Sequence, residues 1–515
     1  MTATPKRAAA TVPARIAASL ARRSPARRRF ARSLLGLAPA AVALARPSPV
    51  GASAATGPAF DRPFGDSIGL VVKFHQGQPQ TDLPTLLDLG VRWVRDGVSW
   101  PDIETRPGHY EPMPPAFAER LAFYRRHDIG LVYTLAYDND VAYPPNAAAP
   151  HAAIDPHAYG RHAVEVARRL RAAGIRFALA VWNEPHNFVL RPMLGGAWNG
   201  RPPSPWVDHY VAMVDAVVQR VKAFDATVPV MTDDDMWVLH YWFLDKGLPP
   251  ALDGFAFHPY TTLEPEKTAV AADTEWTAPH QVVDADRSFR SAVRRLREQG
   301  ERHLGRTPRL WITEWGYAAG PPSDPDRFDP QTVAAYLPRA YVTAFAAGIE
   351  TTFWFSAFDA VDGPMGLIDL DGRRRPAYRA LATLTRQLGA YRFVRQWGDG
   401  RAMQPRQAYL FRHGDRYRVV LWRFADADAP STARLDIPGL DLLSLRIGAG
   451  VAARAVDLFG RPIAEPAPDG PDEQRLDVPL GGAPVYLSIE PPAAHAVAVL
   501  RRIERQCFDG RCAAC

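Results

Sequence analysis

Cysteine is almost missing from this sequence. The three present, Cys507, Cys512 and Cys515, all fall in the last nine of 515 residues. An odd number confined to a tail cannot staple a core, although a local bridge between two of them is open in an oxidising compartment. That tail holds no histidine, so a zinc site there lacks a fourth ligand. Acidic residues are missing from the start. Ten of the 61 Lys and Arg, and none of the 55 Asp and Glu, precede Ala55, so the remainder carries 51 basic against 55 acidic residues, a net charge of −4. The overall +6 therefore belongs to the first 54 residues and offers no basic surface for nucleic acid. Long apolar runs are also lacking: the run from Leu34 to Ala45 is about half of the ~20 residues a membrane span needs. No G-x-G-x-x-G follows the first strand-like run, and there is no P-loop, no H-E-x-x-H and no G-x-S-x-G. Those gaps argue against dinucleotide, nucleotide, zinc-protease and serine-hydrolase chemistry. No cofactor or metal is expected.

The basic start has a use of its own. Arg27, Arg28 and Phe30 precede the moderately apolar stretch, and Ala52-Ser53-Ala54 supplies a small-residue cleavage site. The segment resembles a bacterial twin-arginine export signal, with Ala31 where leucine is more usual. Residues 1–54 are expected to be removed, placing the mature protein in the periplasm or outside the cell without a stable membrane span.

With 47% hydrophobic residues, the chain can bury one large core and a smaller one. Between Gly69 and Leu388, eight short apolar runs alternate with amphipathic stretches. The runs begin at Gly69, Val91, Gly130, Phe177, Pro229, Gly254, Arg309 and Thr351. They are rich in β-branched and aromatic residues and rarely alternate with polar ones, as strands buried on both faces do. Between them apolar residues recur at three and four, as in Val207, Tyr210, Val211, Val214, Val217, Val218 and Val221 behind Ser204-Pro205. Ser204, Asp155 and Asp329 are placed as N-caps, each followed by proline at the first helical position. Pro338 conflicts locally with its helix and costs up to ~3 kcal/mol unless it kinks the chain. Eight strand–helix units predict a (β/α)8 barrel over residues 55–390.

From Tyr391 the texture changes to short, partly alternating runs set off by Gly, Pro and Asp, without helical stripes. This predicts a small antiparallel β-sandwich over residues 391–503, followed by a Cys-containing tail, 504–515. The sandwich is expected either to cover barrel surface or to bind sugar.

In such a barrel the working groups lie at the C-terminal ends of the strands. Glu184, in Trp-Asn-Glu-Pro, ends the fourth run, and Glu314, in Thr-Glu-Trp-Gly, ends the seventh. Two glutamates across a cavity are what glycosidic hydrolysis requires. Together with His258-Pro259-Tyr260 on the sixth run, these phrases resemble clan A glycoside hydrolases. Arg95, Trp100, Gly108 and Tyr110 follow a pattern similar to the second-strand region of families 5 and 39. The third run ends in Leu-Ala-Tyr-Asp-Asn-Asp and lacks the histidine common in family 5. With the C-terminal β-domain, that departure favours bacterial members similar to family 39, with family 5 as second choice.

The resemblance implies a retaining, double-displacement glycosidase, with Glu314 as nucleophile and Glu184 as acid/base. Their carboxyl groups are expected about 5 to 5.5 Å apart, with the Glu184 pKa raised to ~6 by the neighbouring charge. Asn183 would bond the sugar 2-hydroxyl, Tyr260 would orient Glu314, and Arg95 would keep Glu314 ionised. His258 would lie near substrate or nucleophile, and Trp354 would stack on a pyranose face. Trp182 and Trp315 either shape the pocket or pack, and His186 either contacts substrate or holds its loop. Asp233, Asp234 and Asp235 invite a metal reading, but consecutive residues of a strand point to opposite faces and do not converge. They read instead as sugar contacts or helix caps. The expected partner is a polysaccharide or oligosaccharide, with oligomeric state open, and long loops after the fourth and sixth runs are expected to wall the cleft. The alternative is a non-catalytic sugar-binding protein on the same barrel.

Overall fold

All eight apolar runs form parallel strands. They are β1 (Ile68–Val71), β2 (Trp93–Asp96), β3 (Gly130–Leu135), β4 (Phe177–Val181), β5 (Val230–Asp234), β6 (Gly254–Phe257), β7 (Arg309–Trp315) and β8 (Thr351–Trp354). They pair in sequence order, and β1 closes on β8 through Leu70 opposite Trp354. The computed structural model describes residues 61–235, 237–268, 274–321, 324, 327–398, 404–423 and 441–508. The expected export signal, Cys512, Cys515 and the run Thr432–Gly439 lie outside the described residues.

Aromatic residues fill the barrel interior: Trp93 meets Trp311 edge to face at 4.8 Å between centroids, and Trp311 stacks on Phe353 at 6.2 Å. Gly130 makes room for this packing, because a Cβ there would sit 2.5 Å from the Trp93 ring. Large and small residues thus alternate to fill a core rather than leave a pore.

A helix follows each strand: α1 (Thr85–Asp88), α2 (Pro115–Arg126), α3 (Pro156–Ala172), α4 (Pro205–Phe224), α5 (Trp237–Lys246), α6 (Phe289–Leu304), α7 (Pro330–Ala346) and α8 (Pro376–Leu388). Their apolar stripes face the sheet; Tyr159, Ala163, Val166 and Leu170 of α3 are all buried. Asp155 and Asp329 cap α3 and α7 by accepting from the backbone N–H of Ala158 and Gln331. Ser204 holds the N-cap position of α4, but its hydroxyl makes no capping bond. Pro338 sits buried inside α7, which runs through it to Ala346.

The C-terminal strands are β9 (Arg392–Gln396), β10 (Arg406–His413), β11 (Arg416–Arg423), β12 (Asp441–Gly448), β13 (Ala452–Val456), β14 (Pro462–Ala464), β15 (Ala467–Pro468), β16 (Glu473–Leu480) and β17 (Val485–Glu490). They form one sheet in the order β9-β10-β11-β17-β13-β14 and a second in the order β12-β16-β15. Helix α9 (Ala496–Phe508) then packs on the sandwich core. It overruns the expected end at residue 503, because Leu500, Ile503 and Cys507 make a buried stripe at helical spacing. Cys507 is therefore a core side chain, and burial pushes its thiol up to about 12.

A buried cation ties the sandwich to the barrel. Arg339 of α7 donates to Glu264 at 2.8 Å and to Glu266 at 2.6 Å, both in the loop after β6, and to the Gly482 carbonyl at 3.1 Å. Trp422 of β11 donates to the same Glu266 at 2.9 Å. Burial opposes the charge on Arg339, but Glu266 and Glu264 outweigh it and raise its pKa. No helix among the described residues is long and apolar enough to cross a membrane.

Candidate active site

The C-terminal ends of the strands bring together most of the residues singled out above. Arg95 ends β2, Asn183 and Glu184 follow β4, Asp233 lies on β5, His258 and Tyr260 follow β6, and Glu314 lies on β7. The chain turns sharply after β4: Trp182 and Glu184 adopt left-handed backbone, with φ of 67° and 46°. Non-glycine residues occupy that region at a cost, accepted where surrounding contacts hold them. Here the Tyr159 hydroxyl receives the Trp182 N–H at 2.9 Å, and the Glu184 carbonyl accepts from Asn187 and Phe188.

Arg95 organises the Glu314 side. It forms a buried ion pair with Glu314, and a second with Asp233 at 2.9 Å. It also donates to the Asn183 side-chain carbonyl at 2.5 Å. Burial works against its charge, but Asp233 and Glu314 outweigh that and raise its pKa. The Tyr260 hydroxyl donates to Glu314 Oε2 at 2.7 Å. Two oriented donors from different strands therefore hold the Glu314 carboxylate.

His258 links the two glutamates. Its Nδ1 lies 2.9 Å from Glu184 Oε1 and 3.7 Å from Glu314 Oε2, while Nε2 lies 2.9 Å from Asp233 Oδ1. Burial disfavours an imidazolium, yet Glu314 and then Asp233 outweigh it and raise the His258 pKa well above its usual value. In the same exchange burial pushes Asp233 up, and His258 and then Arg95 hold its carboxyl below the usual range. On its other side Glu184 accepts from Asn187 at 3.0 Å. Carboxylate oxygens of Glu184 and Glu314 lie within 4.8 Å of one another.

Two placements differ from expectation. Trp354 does not reach the site: it is fully buried and packs outward, 6.1 Å from Tyr317. Successive strand residues point to opposite faces, so Phe353 and Phe355 take the inner side and Trp354 faces the helices. Phe355 stands on the inner side instead, 6.2 Å from Tyr260 and 4.0 Å from Lys73 Nζ. The three aspartates also behave differently. Asp233 points inward and Asp234 outward, as alternation requires, but the strand ends at Asp234. Asp234 and Asp235 therefore both meet His186, at 2.9 and 3.0 Å from its two ring nitrogens. His186 is fully buried and holds its loop. Burial opposes its charge, but Asp234 and Asp235 raise its pKa to about 9.

Trp182 and Trp315 are fully buried and belong to the packed core. The sequence reading missed Tyr137, which receives the Asn183 side-chain N–H at 2.9 Å. It also missed Asn187 and the inward role of Asp233. Tyr137 stands at the end of the third run, where the absent histidine was noted, so the position carried a signal that its residue type concealed.

Among the described residues, two groups of three side chains bring metal-ligand atoms within 4.8 Å: Glu184, His258 and Glu314, and His186, Asp234 and Asp235. In each, both ring nitrogens of the histidine already face carboxylate oxygens.

No protein-family model matches the sequence, and no curated protein matches it. Solved structures do. A family 39 glycoside hydrolase from the gut symbiont Bacteroides cellulosilyticus WH2 aligns with a TM-score of 0.61 and 18% identity, over 83% of this chain and 81% of that one. A glycoside hydrolase family 30 subfamily 8 xylanase from Clostridium acetobutylicum aligns with a TM-score of 0.50 and 11% identity, over 85% and 98%. At these identities the likeness is one of fold. The structural neighbours of this chain are clan A glycoside hydrolases, with which it shares the closed barrel of eight parallel strands.

Proposed function

We propose that the protein is an exported glycoside hydrolase that cleaves O-glycosidic bonds of a polysaccharide or oligosaccharide with retention of anomeric configuration. One observation carries the reading: two buried glutamates at the ends of β4 and β7 face each other with carboxylate oxygens within 4.8 Å. Retaining enzymes hold their carboxyl groups about 5 to 5.5 Å apart, whereas inverting ones need about 6.5 to 9.5 Å to admit a water.

Glu314 attacks the anomeric carbon as the bond to the leaving oxygen breaks, and Glu184 delivers a proton to that oxygen. Water then attacks the glycosyl–enzyme ester, giving its proton to Glu184 and freeing Glu314. Arg95 and Tyr260 hold the Glu314 carboxylate in position for that attack. The first step needs a proton on Glu184, whose Oε1 lies 2.9 Å from His258 Nδ1. Asn183, its amide oriented by Arg95 and Tyr137, would bond the sugar 2-hydroxyl. Export rests on the Arg27-Arg28 segment and on Ala52-Ser53-Ala54.

The deciding experiment incubates the mature protein with a glycan panel and follows the first-formed product by proton NMR. The expected product keeps the substrate's anomeric configuration and disappears with Glu314→Ala. An inverted product rules out the double displacement, and turnover that survives Glu314→Ala rules out the assignment of the site.

A further inference from the structure

The chain has thirteen tryptophans, and eleven of them are buried. The two that are not, Trp198 and Trp276, touch each other. Their rings meet edge to face at 4.9 Å, although one comes from the loop after β4 and the other from the loop after β6. Trp276 is 39% exposed. Leaving indole surface in water forfeits burial energy, so two adjoining tryptophans kept at the surface suit a ligand with an apolar face.

The pair is held in place. The Trp206 indole N–H donates to the Ala197 carbonyl at 2.9 Å, fixing the backbone just before Trp198. The Asn199 side chain donates to the Trp276 carbonyl at 2.9 Å, crossing from one loop to the other. A short relay also connects the pair to the acid/base. The Asn187 side-chain N–H reaches both Glu184, at 3.0 Å, and Asp235, at 3.3 Å. Asp235 lies 3.0 Å from His186, whose ring is 5.4 Å from Trp198. The aromatic pair therefore belongs to the loops after β4 and β6 and touches the His186 that pairs with the end of β5. Arg95, which pairs with Glu314, comes from the end of β2.

We propose that Trp198 and Trp276 form the binding surface for the sugar on the leaving-group side of the scissile bond. The natural substrate then carries at least one further pyranose beyond that bond, rather than a small aglycone. The inference rests on the proposed acid/base role of Glu184, because that role makes the Glu184 side the side of the departing group. A pyranose lays its axial C–H groups on an indole face, and its hydroxyls find a polar neighbour in the partly exposed Asp235 carboxylate.

The test compares Trp276→Ala and Trp198→Ala with the unmutated enzyme on two kinds of substrate. One is the set of glycosyl fluorides of glucose, galactose, mannose and xylose, whose leaving group is a single atom. The other is the set of trisaccharides of the same sugars. The expected result is a loss of about tenfold in kcat/KM on the trisaccharide, with the matching fluoride changed by less than about twofold and Tm unmoved. Equal loss on both substrates would assign the pair a structural role, and no loss on either would remove it from the site; both overturn the inference. Retained turnover in Glu314→Ala, or no turnover of any substrate by the unmutated protein, would instead bring down the reading on which it rests.

Discussion

His258 stands 2.9 Å from Glu184 on one side and 2.9 Å from the buried Asp233 on the other. In the proposed mechanism the proton that Glu184 delivers sits beside an imidazole whose pKa is raised by Glu314 and Asp233, and the two glutamates should respond differently to substitution. With a poorly activated leaving group, Glu184→Gln is expected to lower kcat by about 10² to 10⁴. With a dinitrophenyl or fluoride leaving group, which departs without a proton, formation of the glycosyl–enzyme should persist. Glu314→Gln should abolish both. Burst kinetics on the activated substrate decide this, and an equally inactive Glu184→Gln would count against its acid role.

His186 makes stability depend on pH. Burial disfavours its charge, but Asp234 and Asp235 raise its pKa from the ordinary 6.5 to about 9. A group with a raised folded pKa stabilises fully below its unfolded pKa and loses that contribution as pH climbs to the folded value. Stability is thus expected to fall by up to about 3 kcal/mol between pH ~6.5 and ~9. His186→Gln should flatten this slope. Denaturant titrations at pH 6, 7.5 and 9 measure it, and an unchanged slope in the variant would assign the dependence to other groups.

Arg339 neutralises two glutamates that come from a loop far away in the chain. Removing a partner from a buried ion network costs about 3 to 5 kcal/mol, since the remaining charges lose their compensation. Arg339→Met is expected to lower stability by that amount at neutral pH. Further replacement of Glu264 and Glu266 by Gln should recover part of the loss. Melting curves of the single and triple variants show whether it does.

The strand-eight aromatics separate stability from binding. Trp354→Ala should cost about 3 to 5 kcal/mol of stability through the cavity it opens behind the sheet. Its KM should be unchanged under conditions where it stays folded. Phe355→Ala should raise KM at a smaller cost in stability. Kinetics and denaturation of both variants check the assignment, and a KM effect confined to Trp354→Ala would return the sugar platform to that residue.

Much of this was legible in the chain itself. Strands buried on both faces have to be apolar throughout, so eight such runs separated by helical stripes announced the barrel. Glu184 and Glu314 stood out because a carboxylate directly after a buried strand needs a reason to be there. The choice between Trp354 and Phe355 was not legible, since one residue of phase decides which side of the sheet a ring occupies. Nor was helix α9, whose stripe of Leu500, Ile503 and Cys507 begins inside a region that read as strands and turns.

The local pattern of apolar and polar residues determined the barrel, the eight strands and the two carboxylates at its mouth, because hydrophobic period and strand count are local properties. Tertiary structure alone decided how charge is shared there. Arg95, Asp233, His258 and Glu314 come from four different strands, and they meet at distances of about 3 Å that no sequence spacing encodes. The same holds for Arg339 with Glu264, Glu266 and Trp422, and for Trp198 with Trp276. In each case the energy comes from side chains that meet only after the barrel has closed.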